Sequence, residues 1–313
     1  MGGDMEEQRE LVLRIKRDLL FGHDIAPPTV DTDKCTGCGL CVRVCSAYVL
    51  EVRDEKAAVA REEGCFACGH CWAVCPEEAV FHGEASTATS LRPGPAPAVS
   101  PDALQLLIRE RRSTRLFKDK PVSREQLLQI VEAGRYGPTA GNRQNVHYTV
   151  LSNQERVSEL RSLLESYLER VFGLVQNRAS AFLVAMRAGR KGVDLMRYYG
   201  AGYPLLKGNK EVPAYFVLPF GMAVLVVHGP SRDATAAFNC AVALYNGALM
   251  AHSLGLGSCF LGFVQLGANG DQRIKQWLEI PKENECYGAM VVGYPEVRYR
   301  RLVERKAPDI TWR

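Results

Sequence analysis

Apolar and polar positions alternate along the chain with periods that predict both helices and strands. Leucines and charged residues recur at helical spacing over 5–21, and the prolines after Ala26 end this segment. Beyond residue 100, apolar residues recur every three or four positions in several segments. Ser123 and Gln126 form a capping-box pattern at the start of one of them. The patterns predict helices over 102–111, 123–135, 154–200, 233–254 and 271–278, and strands over 147–152, 223–228 and 286–293.

Helices outnumber strands in this pattern, so we expect an α+β fold for the larger part of the chain. The helix at 233–254 is alanine-rich and almost uncharged, which predicts burial on most of its sides. Glycine and proline are frequent over 201–221, where we expect a mobile loop. The predicted organisation is a helical extension, a cysteine-rich module, a proline-rich linker and an α+β domain, over 1–30, 31–84, 85–101 and 102–313.

The composition is that of a globular protein, with 47% hydrophobic and 24% charged residues over 313 positions. That length allows one small and one larger domain. The mixed-charge N-terminal segment has no apolar stretch typical of a secretory signal. The most apolar run, 212–227, is interrupted by prolines and is too short to span a bilayer. We therefore expect a cytoplasmic protein with no membrane partner.

The net charge of +4 is unevenly distributed: residues 1–98 carry −6 and residues 99–313 carry +10. An excess of basic residues raises the question of a nucleic-acid partner. The arginines, however, cluster in short motifs and follow neither one amphipathic face nor an aromatic-rich strand pattern. We expect no nucleic-acid partner, and the opposite charges instead favour docking of the two halves.

Eight of the eleven cysteines form two runs with the spacing C-x2-C-x2-C-x3-C, offset by 30 residues. The first cysteine run is Cys35, Cys38, Cys41 and Cys45, and the second is Cys65, Cys68, Cys71 and Cys75. A four-iron cluster takes four thiolates, and in two-cluster ferredoxins the fourth cysteine of each run binds the other cluster. The predicted ligand sets are therefore Cys35, Cys38, Cys41 and Cys75 for the first cluster, and Cys65, Cys68, Cys71 and Cys45 for the second.

Zinc and disulfides are the alternatives for these cysteines. Zinc sites usually pair C-x2-C units across a longer stretch and use four ligands in total, which a doubled run does not match. Disulfides need an oxidising compartment, for which the sequence gives no sign. The stretch 31–84 resembles bacterial ferredoxins with two [4Fe–4S] clusters, although Ser46 stands where that family often repeats the proline found at Pro76.

Three stretches of the larger domain contain candidate binding motifs. The segment Arg111–Arg115 offers planar, charge-assisted donors suited to phosphate, although basic runs are more often solvated faces. The segment Gly137–Asn145 is polar, and alone it would be read as a turn. The run Gly255–Gly262 would let backbone approach a flat ligand, but it is also compatible with a tight turn after a helix. It lacks the dinucleotide fingerprint G-x-G-x-x-G.

These motifs, with Val292–Pro295 and Arg305–Pro308, occur in the order seen in FMN-dependent nitroreductases, which the chain resembles over about residues 102–313. The resemblance implies a homodimer with FMN at its interface. It implies that the ribityl phosphate is held by Arg111, Arg112, Ser113, Arg115 and Arg305. It also places Leu261 and Gly262 near the reactive edge of the flavin, and contacts from the partner subunit at Pro138, Thr139, Ala140 and Asn142. Asn145-Val146 departs from the Pro-Trp of many relatives, and 155–221 matches nothing in the family.

The remaining cysteines and the histidines are weaker candidates. Cys240, Cys259 and Cys286 lie in apolar surroundings, and we expect them to be inert packing residues. The histidines show no partner at the spacing of a hydrolytic triad, and His70 is expected to face solvent. No residue stands out as catalytic, so we expect the proton to come from water or from a lid over the site.

The expected function is an iron–sulfur flavoprotein oxidoreductase that reduces a small organic acceptor such as a nitroaromatic, quinone or activated alkene. Clusters carry single electrons at low potential, whereas FMN delivers two together. Ferredoxin or NAD(P)H is the expected donor. Two alternatives remain: a non-catalytic electron-transfer subunit, which would turn over no small acceptor, and a cluster-based redox sensor, which would respond to cluster loss without flavin.

Overall fold

The computed structural model describes residues 2–21, 24–82, 94, 98–207, 217–218 and 223–313. Most of the predicted linker at 85–101, and residues 208–216 and 219–221 of the predicted loop, lie outside the described residues. The structure divides into two compact units. The cluster unit comprises Met1–Ala98 and Pro138–Asn145, and the sheet unit comprises Val99–Gly137 and Val146–Arg313.

The cluster unit begins with helix α1 (Gly2–Ile15), which continues as a π-helical turn over Lys16–Phe21 and so confirms the predicted helical segment. The rest of the unit contains short elements that follow the 30-residue repeat of the sequence. Gly39 and Gly69, both with φ of 71°, precede the two short helices that carry the third cysteine of each run. These elements are β1 (Thr29–Val30), α2 (Leu40–Arg43), β2 (Leu50–Arg53), β3 (Lys56–Val59), α3 (His70–Val74) and β4 (Val80–Phe81), with 3₁₀ turns at Glu62–Gly64 and Ala140–Asn142.

Two small antiparallel sheets hold the cysteine runs together. Strand β1 pairs with β4, and β2 forms a hairpin with β3 that the sequence patterns did not predict. The buried core of this unit is small and includes cysteines themselves, together with Leu50, Ala57 and Val80. A core with so few apolar side chains is typical of domains that need a bound metal to fold stably.

The sheet unit is built on four strands in the order β5-β6-β8-β7, and every neighbouring pair is antiparallel. Its helices flank this sheet, in agreement with the α+β class expected from the sequence. The elements are α4 (Pro101–Glu110), α5 (Arg124–Arg135), β5 (His147–Leu151), α6 (Gln154–Gln176), α7 (Arg178–Lys207), β6 (Ala223–Pro230), α8 (Ala236–Ser253), β7 (Gly257–Phe260), α9 (Gly262–Gly270), α10 (Gln272–Trp277) and β8 (Asn284–Gly293).

Both faces of the central strands are buried. Along β6, Val224 and Val226 pack in one core with residues of α6, α9 and α10, whereas Leu225 and Val227 pack in another with residues of α5 and α8. Strand β8 divides in the same way. This burial explains why β6 and β8 are almost continuously apolar, since each side chain meets a helix layer on one face or the other.

Most predicted elements of the sheet unit are confirmed. The capping box forms, with the Gln126 amide donating to Ser123 Oγ at 3.2 Å and the Ser123 amide donating to Gln126 Oε1 at 3.3 Å. The predicted turn over 255–262 is wrong in part, because Gly257–Phe260 pairs with β8 as an edge strand. The loop expected from 201 onwards is also wrong at its start, since α7 continues to Lys207. Helix α8 is buried on one face only, and Phe238 is 65% exposed in the single chain.

Candidate functional site

The cysteines of the cluster unit are grouped around two cavities. The cavity that we call the first cluster cavity is lined by Cys35, Cys38, Cys41 and Cys75. The second cluster cavity, of about 140 Å³, is lined by Cys45, Cys65, Cys68 and Cys71, among others. Each cavity thus takes three cysteines from one run and the last from the other. This is the grouping that the sequence predicts for two clusters, and it supports that ligand assignment.

Backbone amides donate to the sulfur atoms at equivalent points of the repeat. Val49 N lies 3.3 Å from Cys45 Sγ, and Ala79 N lies 3.3 Å from Cys75 Sγ. A third amide, Ala57 N, lies 3.4 Å from Cys35 Sγ. Hydrogen bonds to ligand sulfurs stabilise their negative charge and contribute to the reduction potential of a bound cluster.

Burial disfavours the charged form of three cysteine thiols in these cavities. Burial raises the pKa of Cys71 to about 11, and it also raises the pKa of Cys41 and Cys65. Thiolates at these positions would need a positive charge beside them, which a bound iron cluster supplies. Each cavity offers four thiols, which is the ligand set of a four-iron cluster, in which the thiolates surround a cage of several irons.

Two further groups lie near Cys65, one of the cysteines of the second cluster cavity, and the sequence patterns did not single them out. His82 Nε2 is 3.3 Å from Cys65 Sγ, and burial lowers the pKa of this histidine. Lys16 is 4% exposed and donates from Nζ to the carbonyl of Glu63 at 3.2 Å. His70, expected to face solvent, is exposed and lines the same cavity.

In the sheet unit, the Arg111–Arg115 segment lies along the edge strand β7. Ser113 forms a parallel bridge with Ser258, and Thr114 N donates to the Ser258 carbonyl at 2.9 Å. The approach is close, because a Cβ placed on Gly257 would lie 2.6 Å from Thr114 Oγ1. Glycine at 257 therefore allows the arginine segment to lie directly against the strand.

This segment forms one wall of a cavity of about 890 Å³, which we call the arginine-lined cavity. Six arginines or lysines line it against two glutamates, so its charge favours an anionic ligand. His252 also lines it and pairs with Glu110 at 3.8 Å. The basic residues are Arg111, Arg112, Lys118, Arg298, Arg300 and Arg301.

Several buried donors around this cavity have no hydrogen-bond partner. They are Nε and Nη1 of Arg111, Nε of Arg112 and the hydroxyl of Ser258. Unpaired buried polar atoms are costly, and in native proteins they usually indicate a missing acceptor. A phosphate group has the charge and the acceptor oxygens that these donors lack.

The structure does not bring every predicted flavin residue to this cavity. Ser113 and Arg115 lie beside Cys259, where a hydrogen bond from Ser113 and the Arg115 charge oppose the burial that raises the pKa of that thiol. Leu261 and Gly262 form the start of α9, and Arg305 is exposed in the C-terminal segment. None of these five residues is among those lining the cavity.

The predicted partner-subunit contacts lie in the other unit. Pro138, Thr139, Ala140 and Asn142 belong to the cluster unit, where the amide of Gln144 donates to Thr139 Oγ1 at 3.0 Å. Their predicted role toward a flavin stays a prediction.

The segment Pro295–Leu302 was missed by the sequence patterns, although its run Arg298-Tyr299-Arg300-Arg301 is a basic signal of the same kind as Arg111–Arg115. The other weak candidates behave as expected. Cys240, Cys259 and Cys286 are buried, and burial raises the pKa of Cys240 and Cys286 to about 12, as for inert packing thiols. The rings of His228 and His147 stack with centroids 5.4 Å apart, and His228 Nδ1 lies 2.9 Å from Asn284 Nδ2.

Comparison with known families identifies both parts of the chain. Residues 108–294, more than half of the chain, match the model of the nitroreductase family. The chain belongs to the nitroreductase family. Residues 34–79 match a 4Fe-4S dicluster domain, so this nitroreductase-type oxidoreductase carries a ferredoxin domain on its N-terminal side. Both resemblances drawn from the motifs are confirmed.

Several individual proteins are similar to parts of this chain. A ferredoxin from Methanothermococcus thermolithotrophicus is 43% identical over 54 residues, 17% of this chain and 90% of the relative. An Archaeoglobus fulgidus protein, provisionally described as an NADH dehydrogenase/NAD(P)H nitroreductase, is 26% identical over 65% of this chain and 92% of its own length. A Bacteroides fragilis nitroreductase crystallised with FMN is 23% identical, with a TM-score of 0.49 over 67% of this chain and 97% of that one.

Within the described ranges, no helix is both long enough and apolar enough to cross a bilayer.

Proposed function

We propose that this nitroreductase-family protein transfers electrons through two [4Fe–4S] clusters to FMN and reduces a small organic acceptor. The observation that carries the proposal is the group of unpartnered donors on Arg111, Arg112 and Ser258 beside a cavity of about 890 Å³. It occurs in a chain that also holds two four-cysteine cavities. Binding of a phosphate-bearing flavin would satisfy these donors, and the clusters held in the two cysteine cavities would supply single electrons.

The arginine-lined cavity performs the binding part of this function. Arg111 and Arg112 offer charge-assisted hydrogen bonds to a phosphate, and Ser258 adds a hydroxyl at shorter range. Lys118 and the arginines of Pro295–Leu302 add charge around them without being buried. FMN, when bound, supplies chemistry in which two electrons are delivered together, often as a hydride.

The clusters bound in the two cysteine cavities carry the electrons in this proposal. We assign Cys35, Cys38, Cys41 and Cys75 to the first cluster, and Cys45, Cys65, Cys68 and Cys71 to the second, as the two cavities group them. Amide-to-sulfur hydrogen bonds at Cys45 and Cys75 stabilise the thiolates. Thiolate ligands persist in a reducing compartment, and we propose the cytoplasm.

Family membership supports the finer parts of the proposal. Nitroaromatics, quinones and activated alkenes are the proposed acceptors, and reduced ferredoxin or NAD(P)H the proposed donor. A homodimer is also proposed, and it is supported by apolar side chains that the single chain leaves exposed on α8, such as Phe238 and Tyr245. A second subunit would cover such side chains.

The test is anaerobic reduction of the purified holoprotein by NADH, NADPH or reduced ferredoxin, followed optically, with a nitroaromatic or quinone as acceptor. We expect about eight irons and one FMN per chain, and acceptor-dependent oxidation of at least one donor. Cys75→Ala should remove about half of the iron, because this residue lines the first cluster cavity only. Iron-free, zinc-loaded protein, or protein that reduces no acceptor with any donor, would contradict the proposal.

A further inference from the structure

The loop Pro138–Asn145 lies in an unexpected place. It falls inside the sequence that matches the nitroreductase family, yet it packs in the unit that holds the cysteine runs. Gly141 and Asn142 of this loop line the second cluster cavity together with its four cysteines. The residues lining the first cluster cavity include none from this loop.

Asn142 is the residue that attaches the loop to the cluster motif. Its side-chain amide donates to the carbonyl of Phe66 at 3.2 Å and to the carbonyl of Ala67 at 2.9 Å. A Cβ placed on Gly141 would lie 3.8 Å from the Phe66 ring, so the loop backbone also packs on that side chain. Phe66 and Ala67 are the two residues between the ligands Cys65 and Cys68.

The two cysteine runs are supported differently at this point. In the first run the turn residue is Gly37, with φ of 69°, and Lys56 Nζ donates to the Cys35 carbonyl at 2.6 Å. In the second run the equivalent residue is Ala67, with φ of 51°. A left-handed conformation costs alanine energy that glycine does not lose. The second turn is therefore the more strained, and the loop supplies its side-chain support.

We propose that Asn142 is a positioning residue for the second cluster. By holding the Phe66–Ala67 carbonyls, it fixes the turn between two ligands, so that a loop of nitroreductase sequence sets the stability and the reduction potential of that cluster. In the first run, a side-chain bond comes from within the ferredoxin domain, where Lys56 Nζ donates to the carbonyl of Cys35. This inference rests on the proposed pair of clusters. It gives a new role to Asn142, a residue that the family resemblance assigns to flavin binding.

The first experiment measures anaerobic iron release from full-length holoprotein to a ferrous chelator. Wild type should release its iron in two phases of about four irons each. Loss of two neutral hydrogen bonds in Asn142→Ala should accelerate one phase roughly tenfold or more and leave the other unchanged. Lys56→Ala is the control for the first run, because it removes a side-chain-to-carbonyl contact next to that run's first turn, and it should accelerate the other phase.

The second experiment separates positioning from general stability. Asn142→Asp keeps the shape of the side chain but cannot donate, and it places a negative charge beside the second cluster cavity. Added negative charge disfavours the reduced cluster, so one of the two midpoint potentials in an EPR-monitored titration should shift downward. Far-ultraviolet circular dichroism should match that of wild type for all variants, because Asn142 is partly exposed at the rim of the unit.

Suppose that wild type contains eight irons and that Asn142→Ala accelerates both release phases equally, or neither of them. Either result would overturn the inference but leave the two-cluster proposal standing. The same holds if Lys56→Ala and Asn142→Ala accelerate one and the same phase. Unchanged potentials in Asn142→Asp would also count against it. About four irons in wild type would refute the two-cluster proposal itself, and this inference with it.

Discussion

Replacement of Arg111 by Met provides the sharpest test of the arginine-lined cavity, because the structure predicts opposite effects on stability and on binding. Arg111 Nε and Nη1 are buried and have no hydrogen-bond partner. Without a ligand, these donors have lost water and gained nothing in exchange. Methionine retains much of the apolar stem and removes both donors.

The two effects can be estimated from the number of donors. A buried unsatisfied polar group costs about 1–3 kcal/mol, so Arg111→Met should stabilise the flavin-free protein by about that amount. Charge-assisted hydrogen bonds are worth about 1.5–3 kcal/mol each, so the loss of even one should weaken FMN binding by more than tenfold. Loss of both bonds would weaken it by roughly a hundredfold or more.

The assays are thermal unfolding of the flavin-free protein and FMN titration by quenching of flavin fluorescence. Arg109→Met is the matched control, because Arg109 lies two residues away and pairs with Glu304 at 2.8 Å on the surface, with side chains 43% and 83% exposed. Exposed pairs of this kind contribute about 0–1 kcal/mol, so both measurements should stay close to wild type. Arg111→Lys should be intermediate, since it keeps the charge but loses the planar donor pair.

Unchanged FMN affinity in Arg111→Met would place the phosphate elsewhere. A flavin-free protein that is clearly less stable than wild type would show that the buried donors are satisfied after all. Either result would refute the reasoning from unpartnered atoms.

Two further predictions concern the sheet unit. Gly257→Ala should lower the free energy of unfolding by about 1–3 kcal/mol and lower the flavin content, because its Cβ would clash with Thr114. Gly173→Ala is the control, since Gly173 lies in open space within α6, and it should raise the free energy of unfolding by about 0.5–1 kcal/mol in chemical denaturation. Hydrogen bonds from Arg273 hold the pKa of Asp271 well below its usual range, so its carboxylate stabilises the fold above the unfolded pKa, near 4, and that stability is lost as pH falls. Asp271→Asn should therefore lower the free energy of unfolding by about 1–2 kcal/mol at neutral pH, and the difference from wild type should fade below about pH 4. A difference that stays constant at all pH values would contradict this account.

The sequence alone was sufficient to predict the ferredoxin domain, because cluster ligands are local. Four cysteines within eleven positions form one run, and the spacing records the turns between ligands. The helices of the sheet unit were predictable for a similar reason. Capping by Ser123 and the apolar periods of α5 and α8 depend on residues three or four positions apart.

Elements whose state depends on distant partners were predicted less well. Gly257–Phe260 has the composition of a turn, but β8 supplies its hydrogen bonds and makes it an edge strand. The hairpin of β2 and β3 was missed, since both of its strands are short and only partly apolar. Local propensity is a weak guide where long-range pairing decides the conformation.

The candidate sites show the same division. The arginine motif was evident from the sequence, yet only the fold shows that Arg298, Arg300 and Arg301 share its cavity, since they lie far along the chain. The family motif assigned Asn142 to a flavin, which stays a prediction, and only the fold shows that its amide donates to carbonyls 75 and 76 residues away. A motif specifies which groups a loop carries, but packing decides which groups they contact, because hydrogen-bond partners distant in sequence meet only when the chain has folded.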